Sequence, residues 1–151
     1  MTFLTKTLPT KALIAAIVLT GGVAFAKEGV QDPTVKARMD LMGEVARQTK
    51  VLGDMANGSA AFDASAAAAA REALIAAAAD IPAKFETEAD DPVAEARPDV
   101  WMNWDGFVER ATALQSAAEA MDVTALAGVQ GGMGAVGGSC RDCHTDFRAK
   151  K

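Results

Sequence analysis

Val136-Gly137-Gly138-Ser139-Cys140-Arg141-Asp142-Cys143-His144-Thr145-Asp146-Phe147 lies close to the C-terminus of a chain of 151 residues. Two cysteines three apart, followed at once by a histidine, form the attachment signature of c-type haem. The spacing has a chemical reason. Each thiol adds across one haem vinyl group, and two intervening residues on a helical turn set the sulfurs at the separation of the two vinyls. The adjacent histidine then lies under the iron and supplies a proximal nitrogen. Other readings fit less well. A tetrahedral zinc site needs four ligands, and the chain has 2 cysteines and 1 histidine, all of them here. A thioredoxin-like Cys-x-x-Cys belongs beside a βαβ pattern, and no strand pattern is found. A structural disulfide in so short a loop would leave the sole histidine without a purpose.

The other end of the chain reads as an address. Lys6 and Lys11 precede an apolar run from Ala12 to Val23, and Ala24-Phe25-Ala26 offers an A-x-A cleavage site. The reading is a signal peptide over 1–26 and a mature domain over 27–151. A retained anchor is the alternative, but the run is short against the roughly 20 residues that a bilayer span needs. Export fits a haem that is attached outside the cytoplasm, so the expected location is the periplasm. No later segment is long and apolar enough for membrane insertion.

Loss of residues 1–26 removes two of the 15 basic side chains and none of the 20 acidic ones, leaving 13 − 20 = −7. The remaining 151 − 26 = 125 residues suit one domain with one core. Such an acidic surface argues against nucleic acid and anionic membrane as partners, and for a basic or neutral protein.

Between the two ends the pattern is helical. Asp32 can cap a first helix, Pro33 suits its first turn and Asn57-Gly58 marks its stop. Val35, Met39, Met42, Ala46, Thr49, Leu52 and Ala56 recur at three- and four-residue steps, the mark of a core stripe. A second helix is expected after Asp63, through an alanine-rich stretch toward Lys84, with Ala70, Leu74, Ala77 and Ile81 as its stripe. Pro82 is expected to bend or end it.

Residues Glu86 to Pro98 read as an acidic crossing loop. A third helix is expected from near Asn103, with Trp104, Phe107, Ala111, Leu114, Ala118 and Met121 inward and the tryptophans in core or haem-edge packing. The fourth is expected to be capped by Asp122 and to direct Leu126, Val129, Met133, Val136, Cys140, Cys143 and Phe147 into the interior. Six glycines between Gly128 and Gly138 each cost a helix about 1 kcal/mol relative to alanine. They leave room for a haem and for close helix packing, or else they form a loop with only a short helix after it. Four stripes, short connections and no strands give an all-α fold, an antiparallel four-helix bundle with covalent haem between its helices.

With the haem motif at the C-terminal end of a four-helix pattern, the chain resembles the cytochrome c′ family, including its low-spin, His/Met-ligated relatives. Ordinary small cytochromes c carry the motif near the N-terminus. The likeness spans the mature chain and is most specific at Arg38-x-x-x-Met42, at Ala96-Arg97-Pro98-Asp99-Val100-Trp101, and at Cys140-x-x-Cys143-His144-x-x-Phe147-Arg148.

The resemblance implies haem thioethers at Cys140 and Cys143 and His144 as the proximal iron ligand. It implies Arg38 near a haem propionate, Arg148 near the proximal face and Glu95 near the haem edge. Met42 falls where the family has its distal-side residue. A methionine there either ligates the iron, favouring electron transfer, or packs over it as core. Met39, one turn away, is the second candidate.

Two functions follow: a periplasmic one-electron carrier with low-spin His/Met haem serving redox partner proteins, or a five-coordinate gas binder taking up nitric oxide or carbon monoxide. An enzyme such as a peroxidase would want a distal acid–base residue, and the sole histidine is committed to the proximal side. The sequence fits a monomer or a homodimer equally.

Overall fold

The computed structural model describes residues 29–150, so the expected signal peptide and the expected cleavage before Lys27 lie outside the described residues. Five helices follow in order: α1 (Pro33–Ala56), α2 (Ala64–Phe85), the short α3 (Asp99–Met102), α4 (Trp104–Glu119) and α5 (Leu126–Phe147). The four long helices close a ring, with α1 against α2, α2 against α4, α4 against α5 and α5 back against α1. No strand is present among the described residues. The expected antiparallel four-helix bundle is what the chain forms, with α3 as an added single turn.

Local chemistry sets the helix ends. Asp32 Oδ1 accepts from the backbone N–H groups of Thr34 (2.7 Å) and Val35 (2.9 Å), and Pro33 occupies the first turn. Asp63 caps α2 through the N–H of Ala66 at 2.9 Å. Gly58, just past α1, has φ 82°, a left-handed conformation that glycine adopts without a Cβ clash. Pro82 does not stop α2. The helix continues through it to Phe85, where the proline costs one hydrogen bond in a turn that is already ending.

Two expectations at α5 need correcting. The residue before the helix is Ala125, not Asp122. Asp122 instead closes a local Asx turn, accepting from the N–H (2.9 Å) and hydroxyl (2.7 Å) of Thr124. The stretch of glycines is helix throughout, not a loop. Gly128 and Gly132 are small for a reason: a Cβ on the first would collide with the backbone oxygen of Asp122, and on the second would lie 2.6 Å from Met121 Cγ. Added methyls at Gly131, Gly134, Gly137 and Gly138 would meet nothing. Leu126, expected inward, is 38% exposed because it sits in the first turn, at the bundle's end.

Apolar packing joins the helices. Leu52, Leu74, Val100, Val129 and Val136 are fully buried, and the expected stripe of α2 is buried as read. That of α4 is buried at Phe107, Ala111, Leu114 and Ala118, while Trp104 in the first turn is half-buried and Met121 is buried just past the helix end. The stripe of α1 is the exception. Met39 is 48% exposed, Ala46 is exposed, and Met42 and Thr49 are half-buried. They face a cavity instead of a neighbouring helix.

Candidate functional site

That cavity measures about 840 Å³ and runs between α1, α4, α5 and the loop ahead of α3. Its size is within the range of cofactor sites. α1 contributes Arg38, Met39, Met42 and Thr49; α5 contributes Cys140, Cys143 and His144; Glu95 and Arg148 come from the segments flanking them. All eight candidates singled out from the sequence, Met39 included, therefore border one space. Phe85, Phe107 and Phe147 form its aromatic wall, with ring centroids 5.1 Å and 5.3 Å apart and the second pair nearly perpendicular.

The two thiols are free and half-buried. Burial raises both pKa values, that of Cys143 to about 11, so both are neutral thiols at pH 7. Redox-active Cys-x-x-Cys pairs are tuned the other way. Among the described residues no cluster of three or more His, Cys, Asp or Glu side chains could hold a metal ion, which leaves zinc without a ligand set. The His144 pKa is lowered by burial and then by Arg148, against the opposing pull of Glu95. Its imidazole is neutral at pH 7, with a nitrogen lone pair to offer a metal.

Helix register relates the two walls. A Cβ placed on Gly53 would stand 3.6 Å from Met133 Cε, and Gln130 Nε2 donates to Ala56 O at 2.9 Å. From the Gly53/Met133 level, Met42 is eleven residues back along α1 and His144 eleven residues on along α5. At 1.5 Å per residue both steps cover about 16 Å. Met42 and His144 therefore border the cavity at the same height from antiparallel helices.

Arg38 has a duty that its sequence position did not reveal. Only 3% exposed, it donates to the carbonyls of Lys84 (3.2 Å), Ala89 (3.3 Å) and Thr87. Its guanidinium lies 5.1 Å from the ring centroids of both Phe85 and Trp101. It thereby ties the crossing loop to the end of α2 while bordering the cavity. Trp101 belongs to the same arrangement, donating from Nε1 to Phe85 O at 2.7 Å. Asp91, also missed, is buried and holds the loop to α1 through the N–H groups of Gln31 (2.7 Å) and Asp32 (2.9 Å). A backbone-binding carboxylate has no periodicity to betray it.

The residues fit a haem. Two thiols and an imidazole converge on a mainly apolar space of sufficient size. One polar atom in its wall, Thr49 Oγ1, is buried without a hydrogen-bond partner. Thr112, Ser139 and Thr145, by contrast, each bond the carbonyl four residues earlier. A helical bundle with this constellation is a covalent-haem protein of the c type. The family model for cytochrome c′ matches residues 33–148, and the chain belongs to that family. A cytochrome c′ of Cereibacter sphaeroides is 30% identical over 148 residues, covering 93% of this chain and 99% of its own. A cytochrome c-556 of Agrobacterium tumefaciens is 34% identical over 125 residues, covering 78% and 96%. Among solved structures, a nitric oxide complex of a variant cytochrome c prime from Alcaligenes xylosoxidans aligns with TM-score 0.69 at 28% identity, covering 78% of this chain and 94% of that one. Membership makes this a monohaem c-type cytochrome with covalent haem c.

Proposed function

We propose that the protein is a periplasmic one-electron carrier in which Cys140 and Cys143 would hold the haem and His144 and Met42 would ligate its iron. The observation that carries this reading is the common height of Met42, on α1, and His144, on α5, along one cavity. Bound haem supplies the ferric/ferrous couple. The protein supplies the rest. Cys140 and Cys143 would anchor the haem to α5, and His144 offers a neutral nitrogen from the same helix. Met42 offers a neutral thioether from α1, a ligand pair that favours electron transfer. Phe85, Phe107 and Phe147 keep water from the ring face. Arg38 fixes the loop beside it and borders the space where propionates would lie; Glu95 and Arg148 occupy the proximal rim.

Residues 1–26 would direct export, and no described helix is long and apolar enough to cross a membrane. The acidic mature chain suits a basic or neutral redox partner protein.

Intact mass and one optical spectrum test the proposal. Protein matured in a host able to attach haem is expected at the mass of the chain from Lys27 plus one haem, low-spin in both oxidation states. A high-spin spectrum would favour the second reading, a binder of nitric oxide or carbon monoxide in which Met42 only packs. The similarity to a cytochrome c prime solved with nitric oxide supports that reading.

A further inference from the structure

The segment that crosses from α2 to α3 is fastened to the chain leaving α5. Arg97 N–H donates to Phe147 O at 2.9 Å and Ala149 N–H donates to Glu95 O at 2.8 Å, with Ala96 and Arg148 bridged antiparallel between them. The same three-residue contact carries an ion pair. Arg148 presents Nε at 2.6 Å and Nη2 at 2.5 Å to a single oxygen, Oε2 of Glu95. Both side chains line the cavity alongside His144, which lies four residues before Arg148 and so one helical turn away.

We propose that Glu95 is a positioning residue for the iron site: it holds Arg148 in place and cancels its charge, and the balance of the pair sets the reduction potential of iron bound at His144. The inference rests on His144 as an iron ligand but not on Met42. Its physical basis is Coulombic. One-electron reduction removes a positive charge from the iron centre. A nearby unpaired cation disfavours the ferric state, and an unpaired carboxylate favours it. Fixed charges around a metal's ligands are an established lever on potential. The backbone clasp holds both charges at one rim of the cavity, so their effects oppose each other there.

The test is a spectroelectrochemical titration of the haem-loaded protein, with Glu95→Gln, Arg148→Gln, the double variant and Arg148→Lys. Exposed ion pairs add little to stability, so the variants are expected to fold, and a thermal melt checks this. Glu95→Gln is expected to raise the potential, because it frees the Arg148 cation. Arg148→Gln is expected to lower it, because it removes the cation that offsets the Glu95 carboxylate. The double variant and Arg148→Lys are expected to return near the wild type. A purely structural clasp would move both single variants in the same direction, together with their melting temperature, and that result overturns the proposal. So does an unchanged potential in Glu95→Gln. A wild type carrying no covalent haem would overturn the proposed function itself, and a haem-loaded wild type indifferent to these charges would overturn the clasp alone.

Discussion

Met42 is the residue on which the functional reading turns. It stands at the height of His144, and its unbranched side chain is flexible enough to reach into the cavity or to pack along its wall. Met42→Ala is expected to convert the iron from low- to high-spin, open it to carbon monoxide and lower the reduction potential, since a thioether favours the ferrous state. Met39→Ala is the control and should change little, because Met39 is half in solvent at the cavity's mouth. Optical spectra and a potentiometric titration decide it; an unaltered spin state in Met42→Ala would leave Met42 as packing. A second residue, Asp91, is expected to contribute to acid sensitivity. Its pKa is depressed by hydrogen bonds from the backbone N–H groups of Asp32, Val93 and Gln31, in spite of its burial. A depressed carboxylate adds stability above its unfolded pKa of about 4 and loses it as pH falls through the folded value. Melting temperatures of wild type and Asp91→Asn should therefore differ at pH 7 and converge as pH drops below about 4. A gap that stays constant down to pH 2 would refute this.

Among the elements, α5 separates what a sequence can tell from what it cannot. Its cysteines, its histidine and the spacing from Val129 to Phe147 were legible, because a heptad row and a covalent motif are both local patterns. The purpose of its glycines was not. Sequence alone treats six glycines as equivalent, whereas space distinguishes Gly128 and Gly132, pressed against the turn before the helix, from Gly131, Gly134, Gly137 and Gly138, where an added methyl would meet nothing. Stability measurements should recover the distinction. Gly134→Ala is expected to stabilise by about 1 kcal/mol, the intrinsic advantage of alanine in a helix. Gly132→Ala is expected to destabilise despite the same gain, since Met121 must give way in a packed core. Equal shifts from urea titration of the two variants would mean that packing at Met121 is looser than it looks. The stripe of α1 taught the converse lesson. Periodicity found Met39, Met42, Ala46 and Thr49 correctly as one face, but a face turned to a cofactor and a face turned to a helix carry the same apolar signal. The loop contacts of Arg38 and Asp91 were illegible for another reason. They are made to backbone groups 46 to 60 residues away, and nothing in a local pattern encodes them.

The whole molecule is a ring of four helices that does not meet in its middle at the level of the cysteines. Small side chains bring the helices together elsewhere, with Ala67, Ala70, Ala77 and Ala78 buried along α2, but around the cavity about 840 Å³ is left for the haem to fill. At about 24 cal/mol per Å³, a dry void of that size would cost about 20 kcal/mol, more than the 5–15 kcal/mol by which a domain of this kind is stable. The bare bundle cannot keep the space open and dry. Water must enter past Met39 and His144 against an apolar lining, or the helices must move in and lose their packing. A Cys140→Ala/Cys143→Ala double variant, unable to attach haem, is therefore expected to retain far-ultraviolet circular dichroism while losing the near-ultraviolet signal of Trp101 and Trp104. It should bind a hydrophobic dye and melt broadly, as a compact state without fixed tertiary packing does. Calorimetry provides the discriminating measurement. Non-covalent haem added to the variant should restore part of the cooperative transition, because the aromatic wall and His144 remain. A sharp transition at the wild-type midpoint without haem would mean that the four helices close on one another unaided.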